Sequence, residues 1–338
     1  TEIQDQIEEI KVDTKVMVAD DEVIVQVSYD GYVKRTGIRS YKASDESENG
    51  LKENDFPIFL QKLNTLNHLF MFTNKGNLIY RPVYEIADAK WKDTGEHISQ
   101  TIGMDSDEEI ISTFAFKTLK ETGHFLIATS DGYIKQTEFA ALTPGRKYKK
   151  RATTFEKAKS EATRIVNVIY IPVASDSKAQ DNTVLLMSRL GQGLQYQLDE
   201  VPVNGARTTG VKSMDLRGED EVVDLQLVNE ADTIAMVTQR GSFKKLPVKE
   251  IPVTSRARKG VMVLRELKTN SHEIVDFIKL PTKTTPLEII TARNLIHDVL
   301  PEDHPNGGRY SNGSFVIDVD TEGVPTSIRA KILPLTLS

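Results

Sequence analysis

The sequence predicts an all-β fold, a six-bladed propeller-like ring of small sheets, and three observations carry that reading. One short hairpin pattern recurs from end to end, it recurs at a blade-sized period, and helix-forming segments are scarce. The pattern is an apolar run, then Ser or Thr, two further residues, Gly, and a second run rich in β-branched and aromatic residues.

The copies occupy residues 23–34, 68–79, 125–135, 184–191 and 233–244, with a weaker one at 287–295. Their turns read Ser28 to Gly31, Thr73 to Gly76, Thr129 to Gly132, Ser188 to Gly191, Thr238 to Gly241 and Thr291 to Asn294. Gly and Asn tolerate the positive φ that tight hairpins need, so Asn294 in place of Gly supports the turn reading. Turn residues fall about 45–60 apart, in the range of propeller blades. Polar, Gly-containing stretches such as 204–211 and 255–263 lead from the hairpins into further strands, enough for four-stranded blades. Closing six blades into a ring hides most sheet edges. Two β-sandwiches end to end would also alternate strands and turns, but need no common hairpin at a fixed period. Short peripheral helices are expected at residues 1–9, 108–111 and 155–162.

Composition narrows the function classes. No stretch approaches the ~20 apolar residues of a membrane span, and the acidic start lacks a signal-peptide core, so a soluble cytoplasmic protein is expected. The absence of cysteine excludes disulfides, thiolate metal sites and cysteine nucleophiles. A net charge of −6 means that any nucleic-acid binding must rest on where the bases sit.

They sit in register. The first, third and fifth hairpins place Lys34 with Arg35, Lys135, and Lys244 with Lys245 just after the turn; Arg39 follows the first and Arg81 the second. Two loops add Arg146, Lys147, Lys149, Lys150 and Arg151 around Tyr148, and Arg256, Arg258 and Lys259. Equivalent places in a repeat are equivalent places on a ring, so these cations are expected on one rim, a track for a duplex phosphate backbone. An isolated basic pair reads as solvated surface; the registered set reads as DNA binding. Acidic residues cluster elsewhere, at 5–9, 20–22, 45–53, 105–109, 219–221 and 318–322. Strong salt dependence without a base code is expected.

Catalytic signatures are missing. There is no phosphate-binding loop and no His-Glu-x-x-His, Gly191-Gln192-Gly193 reads as a hairpin turn, and the scattered histidines lack ligand spacing. Asp318, Asp320 and Glu322 read as an acidic turn. Two rivals remain: a protein-interaction propeller, and an enzyme with its site in the central channel, for which the sequence offers no convergent polar set.

The stretch Ser28-Tyr29-Asp30-Gly31-Tyr32-Val33-Lys34-Arg35-Thr36 resembles the first blade of the C-terminal domain of type IIA topoisomerase A subunits. Residues 70–83, 125–137, 207–211 and 255–261 resemble later blades in order, so the likeness covers essentially the whole chain. It implies a lead-in from the cleavage core at residues 1–15 and a β-pinwheel over 16–338, with strands exchanged between blades and duplex DNA wrapped on a basic perimeter. Gyrase members carry a Gln-Arg-Arg-Gly-Gly-Lys-Gly box after the first blade. Residues 41–51 here place Asp45, Glu46 and Glu48 in that stretch, which points to the topoisomerase IV branch; a gyrase wrapping domain without its box is the alternative. The resemblance further implies a nucleoid-associated parent, a heterotetramer of two A and two B subunits, that decatenates and relaxes DNA with ATP, Mg and a core tyrosine. Those segments lie outside this chain, so no catalytic residue, metal or cofactor is expected here, and the isolated domain is expected to be a monomer. Tyr29, Tyr32 and Tyr133 flank hairpin turns and are not that nucleophile.

Overall fold

The computed structural model describes residues 18–173 and 182–338; the expected lead-in at 1–15 and helix at 1–9 lie outside the described residues. All six hairpins form. They pair Glu22–Ser28 with Tyr32–Gly37, His68–Thr73 with Asn77–Pro82, His124–Thr129 with Tyr133–Glu138, Thr183–Ser188 with Gln192–Gln197, Thr233–Thr238 with Ser242–Pro247, and Leu287–Thr291 with Ile296–Val299. These define blades 1 to 6 in chain order.

The repeat's Ser or Thr has a physical job. Its hydroxyl accepts the backbone N–H four residues on in every copy, from Tyr32 onto Ser28 at 3.1 Å to Leu295 onto Thr291 at 3.4 Å. The turn residue before that N–H takes positive φ, 99° at Gly31 and 58° at Asn294.

A third strand joins the far side of each first strand: Pro57–Asn64, Ile110–Phe116, Ile165–Ile171, Val222–Val228, Ile274–Lys279 and Pro325–Ala330. These third strands line the centre of the ring. The fourth strand, on the outer edge, is supplied from beyond the next blade's hairpin: Glu96–His97 completes blade 1, Thr153–Thr154 blade 2, Val211–Lys212 blade 3, and Ser314–Phe315 blade 5. Blade 4 takes two short pieces, Val253–Thr254 and Val261–Met262. This is the strand exchange that the family resemblance implied. Blade 6 has three strands among the described residues, not the four expected of every blade.

Because each blade is stacked between two others, both faces of its hairpin are interior. Leu69 and Met71 face blade 1, whereas the alternate Phe70 and Phe72 enter an aromatic cluster with Phe125 and Phe139 of blade 3. The ring closes differently. Ile24, Tyr41 and Trp91 pack with Leu335 and Leu337 from the chain's end, and the Arg329 guanidinium lies 4.4 Å from the Phe56 ring.

Two of the expected helices do not form. Residues 155–162 are irregular, because Phe155 is drawn into the blade 2–3 core, 4.9 Å from Phe72. Residues 108–111 run into the strand Ile110–Phe116. Among the described residues the short α-helices are Ile38–Ala43, within the first-blade connection, and Val319–Glu322, where the Asp318 carboxylate caps the Asp320 N–H and Glu322 pairs with His297 at 2.8 Å.

Candidate nucleic-acid interface

Ahead of each outer strand the chain rises in an arch over the sheet edge: residues 89–95, 145–152, 204–210, 255–260 and 306–313 for blades 1 to 5. Four arches close on a glycine, Gly95, Gly210, Gly260 and Gly313, with φ between 68° and 90°. At Gly313 a Cβ would lie 2.1 Å from the Phe243 carbonyl oxygen, so only glycine fits there.

From blade 3 to blade 5, each arch is bonded to the outer strand of the blade before, or to the chain just past it. The Lys157 N–H donates to Thr208 O at 3.1 Å, the Arg256 guanidinium to Lys212 O at 2.7 Å, and Asn312 exchanges two bonds with the backbone of Arg265. The arches of blades 2 to 5 therefore form one continuous belt on the perimeter, with the blade 1 arch beside its first member.

The predicted loop cations lie on that belt. Arg146, Lys147, Lys149, Lys150 and Arg151 are all exposed on the blade 2 arch. Lys149 pairs with Glu85 at 3.1 Å; the others make no ion pair among the described residues. Tyr148 turns inward and donates to the same Glu85 at 2.7 Å, so it offers no stacking platform for a base. A groove of about 670 Å³ between the blade 2 and blade 3 arches brings together Lys147, Lys150, Arg151 and Arg207. Arg258 and Lys259 are exposed on the blade 4 arch and border a second groove of about 680 Å³. Arg256 is partly withdrawn, its Nε donating to Glu200 O at 3.1 Å. Arg39 is exposed on the short helix after the first hairpin, Arg35 is half-buried with Nε donating to Ile86 O at 2.8 Å, and Lys245 is half-buried.

Three predicted contacts must be corrected. Lys34, Lys135 and Lys244 are at 0%, 0% and 2% exposure and cannot reach a phosphate. Their position on the second strand points into the sheet's arch-side interior, where carbonyl oxygens converge. The Lys34 ammonium donates to Asn49 O at 2.6 Å, Asp93 O at 2.8 Å and Trp91 O. That of Lys135 donates to Phe155 O at 2.8 Å, Gly205 O at 2.9 Å and Ala206 O at 3.1 Å, and pairs with buried Glu156 at 3.4 Å. Lys244 donates to Ser311 O at 2.7 Å, Arg309 O at 3.1 Å and Val263 O. Burial pulls the Lys34 and Lys244 ammonium groups down to about 8, with the Asp93 charge opposing it at Lys34. Arg81 is buried likewise and donates to Tyr148 O at 3.1 Å and Lys149 O at 3.2 Å.

Perimeter cations that the sequence reading passed over are Lys90, Lys92 and Arg207, all exposed on arches, and Arg309, half-buried there. Arg207 lies in the polar stretch 204–211 that leads into a further strand, and its charge is solitary there.

The central channel holds a polar belt that the sequence reading also missed. At the third position of successive third strands stand Ser112, Asn167, Asp224, Asp276 and Ser327. Ser112 donates to Asn167 at 3.3 Å, Asn167 to Leu225 O at 2.8 Å, and Asp276 accepts the Ile328 N–H at 3.0 Å. The Asp224 carboxyl is held well above the usual range, by burial first and then by the neighbouring Asp276 charge. These groups bond blade to blade and are spent in doing so.

The family described as the DNA gyrase C-terminal domain, beta-propeller, matches residues 67–117, 123–146, 182–229 and 232–281. The chain is 34% identical over 336 residues to the A subunit of DNA topoisomerase 4 from Streptococcus pyogenes serotype M1, a match covering 94% of this chain and 40% of that protein. It is 35% identical over 321 residues to the corresponding protein of Staphylococcus aureus strain MRSA252, covering 95% and 39%. The chain thus spans about two-fifths of the length of these relatives. The crystal structure of the C-terminal domain of DNA topoisomerase IV superposes with a TM-score of 0.85 at 37% identity, over 93% of this chain and 94% of that one.

Proposed function

The chain belongs to the DNA gyrase C-terminal β-propeller family, alongside the C-terminal domains of topoisomerase IV A subunits, and from that premise we propose that it binds and bends duplex DNA along its arch belt. The observation that carries this reading is the perimeter itself: arches on successive blades, bonded to one another from blade 2 to blade 5, that present outward cations making no ion pair among the described residues, from Lys90 and Lys92 through Lys147, Lys150, Arg151 and Arg207 to Arg258 and Lys259. A curved line of such charges fits a phosphate backbone and reads no base. Bending a site of 20–30 base pairs costs about 1–6 kcal/mol, which contacts along the arc offset. The net charge of −6 does not exclude this, since part of the acid is spent by the hairpin turns, where Asp107 pairs with Lys75 and Arg164, and Glu273 with Arg189; the acidic 45–53 stretch instead lies against the blade 1 arch, where Thr94 donates to Gly50 O at 2.8 Å.

In the parent protein the domain would present bound segments to a cleavage core for decatenation and relaxation. Its partner there would be the B subunit, its location the nucleoid. Mg and ATP chemistry is assigned to segments outside this chain. The Asp224 and Asp276 pair does not fit a metal, because its carboxyls bond the Leu225, Phe277 and Ile328 N–H groups and each other.

Retardation of a duplex of about 40 base pairs tests the reading. Binding at low salt that weakens linearly in log–log form, with a slope of about −0.9 per neutralised phosphate, is expected. No retardation at low salt would remove the DNA assignment.

A further inference from the structure

We infer that Lys34, Lys135 and Lys244 are positioning residues for the arches, each clamping its blade's arch from beneath so that one side chain is held outward at the tip. The inference rests on the DNA reading above for what the tip touches, not for the clamp itself.

The clamp keeps one register in three blades. Each lysine stands three residues after its turn glycine, and each arch closes on a glycine whose added Cβ would meet that lysine's own Cβ at 2.8, 2.9 and 2.8 Å in blades 1, 3 and 5. Counting back from the closing glycine, the fourth residue gives its carbonyl to the ammonium in every case: Trp91, Ala206 and Arg309. The second residue back contributes as well, through Asp93 O, Thr208 Oγ1 and Ser311 O. The residue between those two anchors is left pointing out: Lys92, Arg207 and Tyr310, all exposed, Tyr310 at 69%. A further carbonyl comes from a separate segment, Asn49, Phe155 or Val263, so the ammonium also ties the arch to the body of the ring. In blade 2, Arg81 reaches Tyr148 O and Lys149 O in the same way, and that arch carries the densest cations.

An ammonium suits this work. It carries three donors on a flexible stem and no acceptor, so it fits a cup of carbonyls, of which, among the described residues, only Asn49 O and Gly205 O also take a side-chain donor, from Gln26 and Thr208. In blade 3 the test is a double-mutant cycle on the chain as it stands, with duplex retardation across salt and hydrogen exchange of the amides at 204–210. Arg207→Ala is expected to flatten the salt slope by about 0.9. Lys135→Met, whose ammonium lies inside, is expected to flatten it by a similar amount, and the double variant by no more than either single change. In Lys135→Met the arch amides are expected to exchange at least tenfold faster, while those of His124–Thr129 remain the better protected of the two sets. Independent, additive slopes, or arch amides unchanged in Lys135→Met, would overturn the inference. If the wild-type chain retards no DNA, the DNA reading fails and the exchange measurement alone decides the clamp. Should Lys135→Met not fold, because Glu156 is left alone, Lys34→Met with Lys92→Ala repeats the cycle where no carboxylate pairs with the ammonium.

Discussion

Blades 3 and 4 present cations on neighbouring arches by opposite means. In blade 3 a buried lysine gathers the arch carbonyls from inside. In blade 4 the same position is Leu194, 1% exposed and packed in the core, and the arch is tied from outside by its own Arg256, through Glu200 and Lys212. The tip residue then differs too: Arg207 projects in blade 3, whereas blade 4 places Ala257 there, at φ 63°, and carries its exposed cations behind it on Arg258 and Lys259. The internal clamp of blade 3 leaves its arch cation, Arg207, exposed; the external one of blade 4 consumes an arginine.

The largest expected effect breaks the internal clamp. Lys135→Met strands Glu156 and a cup of carbonyls and should cost about 3–5 kcal/mol in denaturant unfolding; Lys135→Met with Glu156→Gln should recover a large part. Next come the closing glycines, which both designs share. Gly313→Ala forces a positive φ on a side chain and drives its Cβ toward Phe243 O, a loss of about 2–3 kcal/mol by the same assay. Arg256→Ala removes the external tie and should cost about 1 kcal/mol, with no comparable loss for Arg207→Ala.

The pH dependence sharpens the same contrast. Lys34 and Lys244 titrate near 8 when folded and near 10.4 when unfolded, so between those values the unfolded chain holds more protons and stability should rise with pH. Lys244→Met should show a smaller rise, measured by unfolding midpoints from about pH 7 to 10.5. Last, Lys150→Ala or Arg151→Ala should leave stability within about 0.5 kcal/mol while each flattens the salt slope by about 0.9.

The hairpins were legible because their chemistry is local: a hydroxyl that caps the turn, a residue that accepts positive φ, and two β-rich arms. The outer strands were legible only in part: the stretches 204–211 and 255–263 end in two of them, but pieces two residues long carry no periodic signal of their own and their partners lie in another blade. The loop cations were readable as exposed charge. The hairpin lysines misled for a definite reason: Val33 and Lys34 are both interior, and an alternation rule that assigns one face to solvent fails in a stack where each sheet has neighbours on both sides. Recurrence at an equivalent position was a true signal, of a repeated internal device in place of a repeated surface one.

The exchange of outer strands has a consequence for how such a ring can be shortened. Excising the sixth sheet at its visible borders, from Leu287 to Ala330, would also remove Ser314–Phe315 and the arch whose carbonyls fill the cup beneath Lys244. The fifth sheet would be left with a bare flank and a charged, empty socket. The heritable unit is therefore offset from the sheet. It runs from one hairpin to the arch that serves the blade before, like a link whose closing hook belongs to its neighbour, and a ring with fewer members must lose whole links counted in that frame.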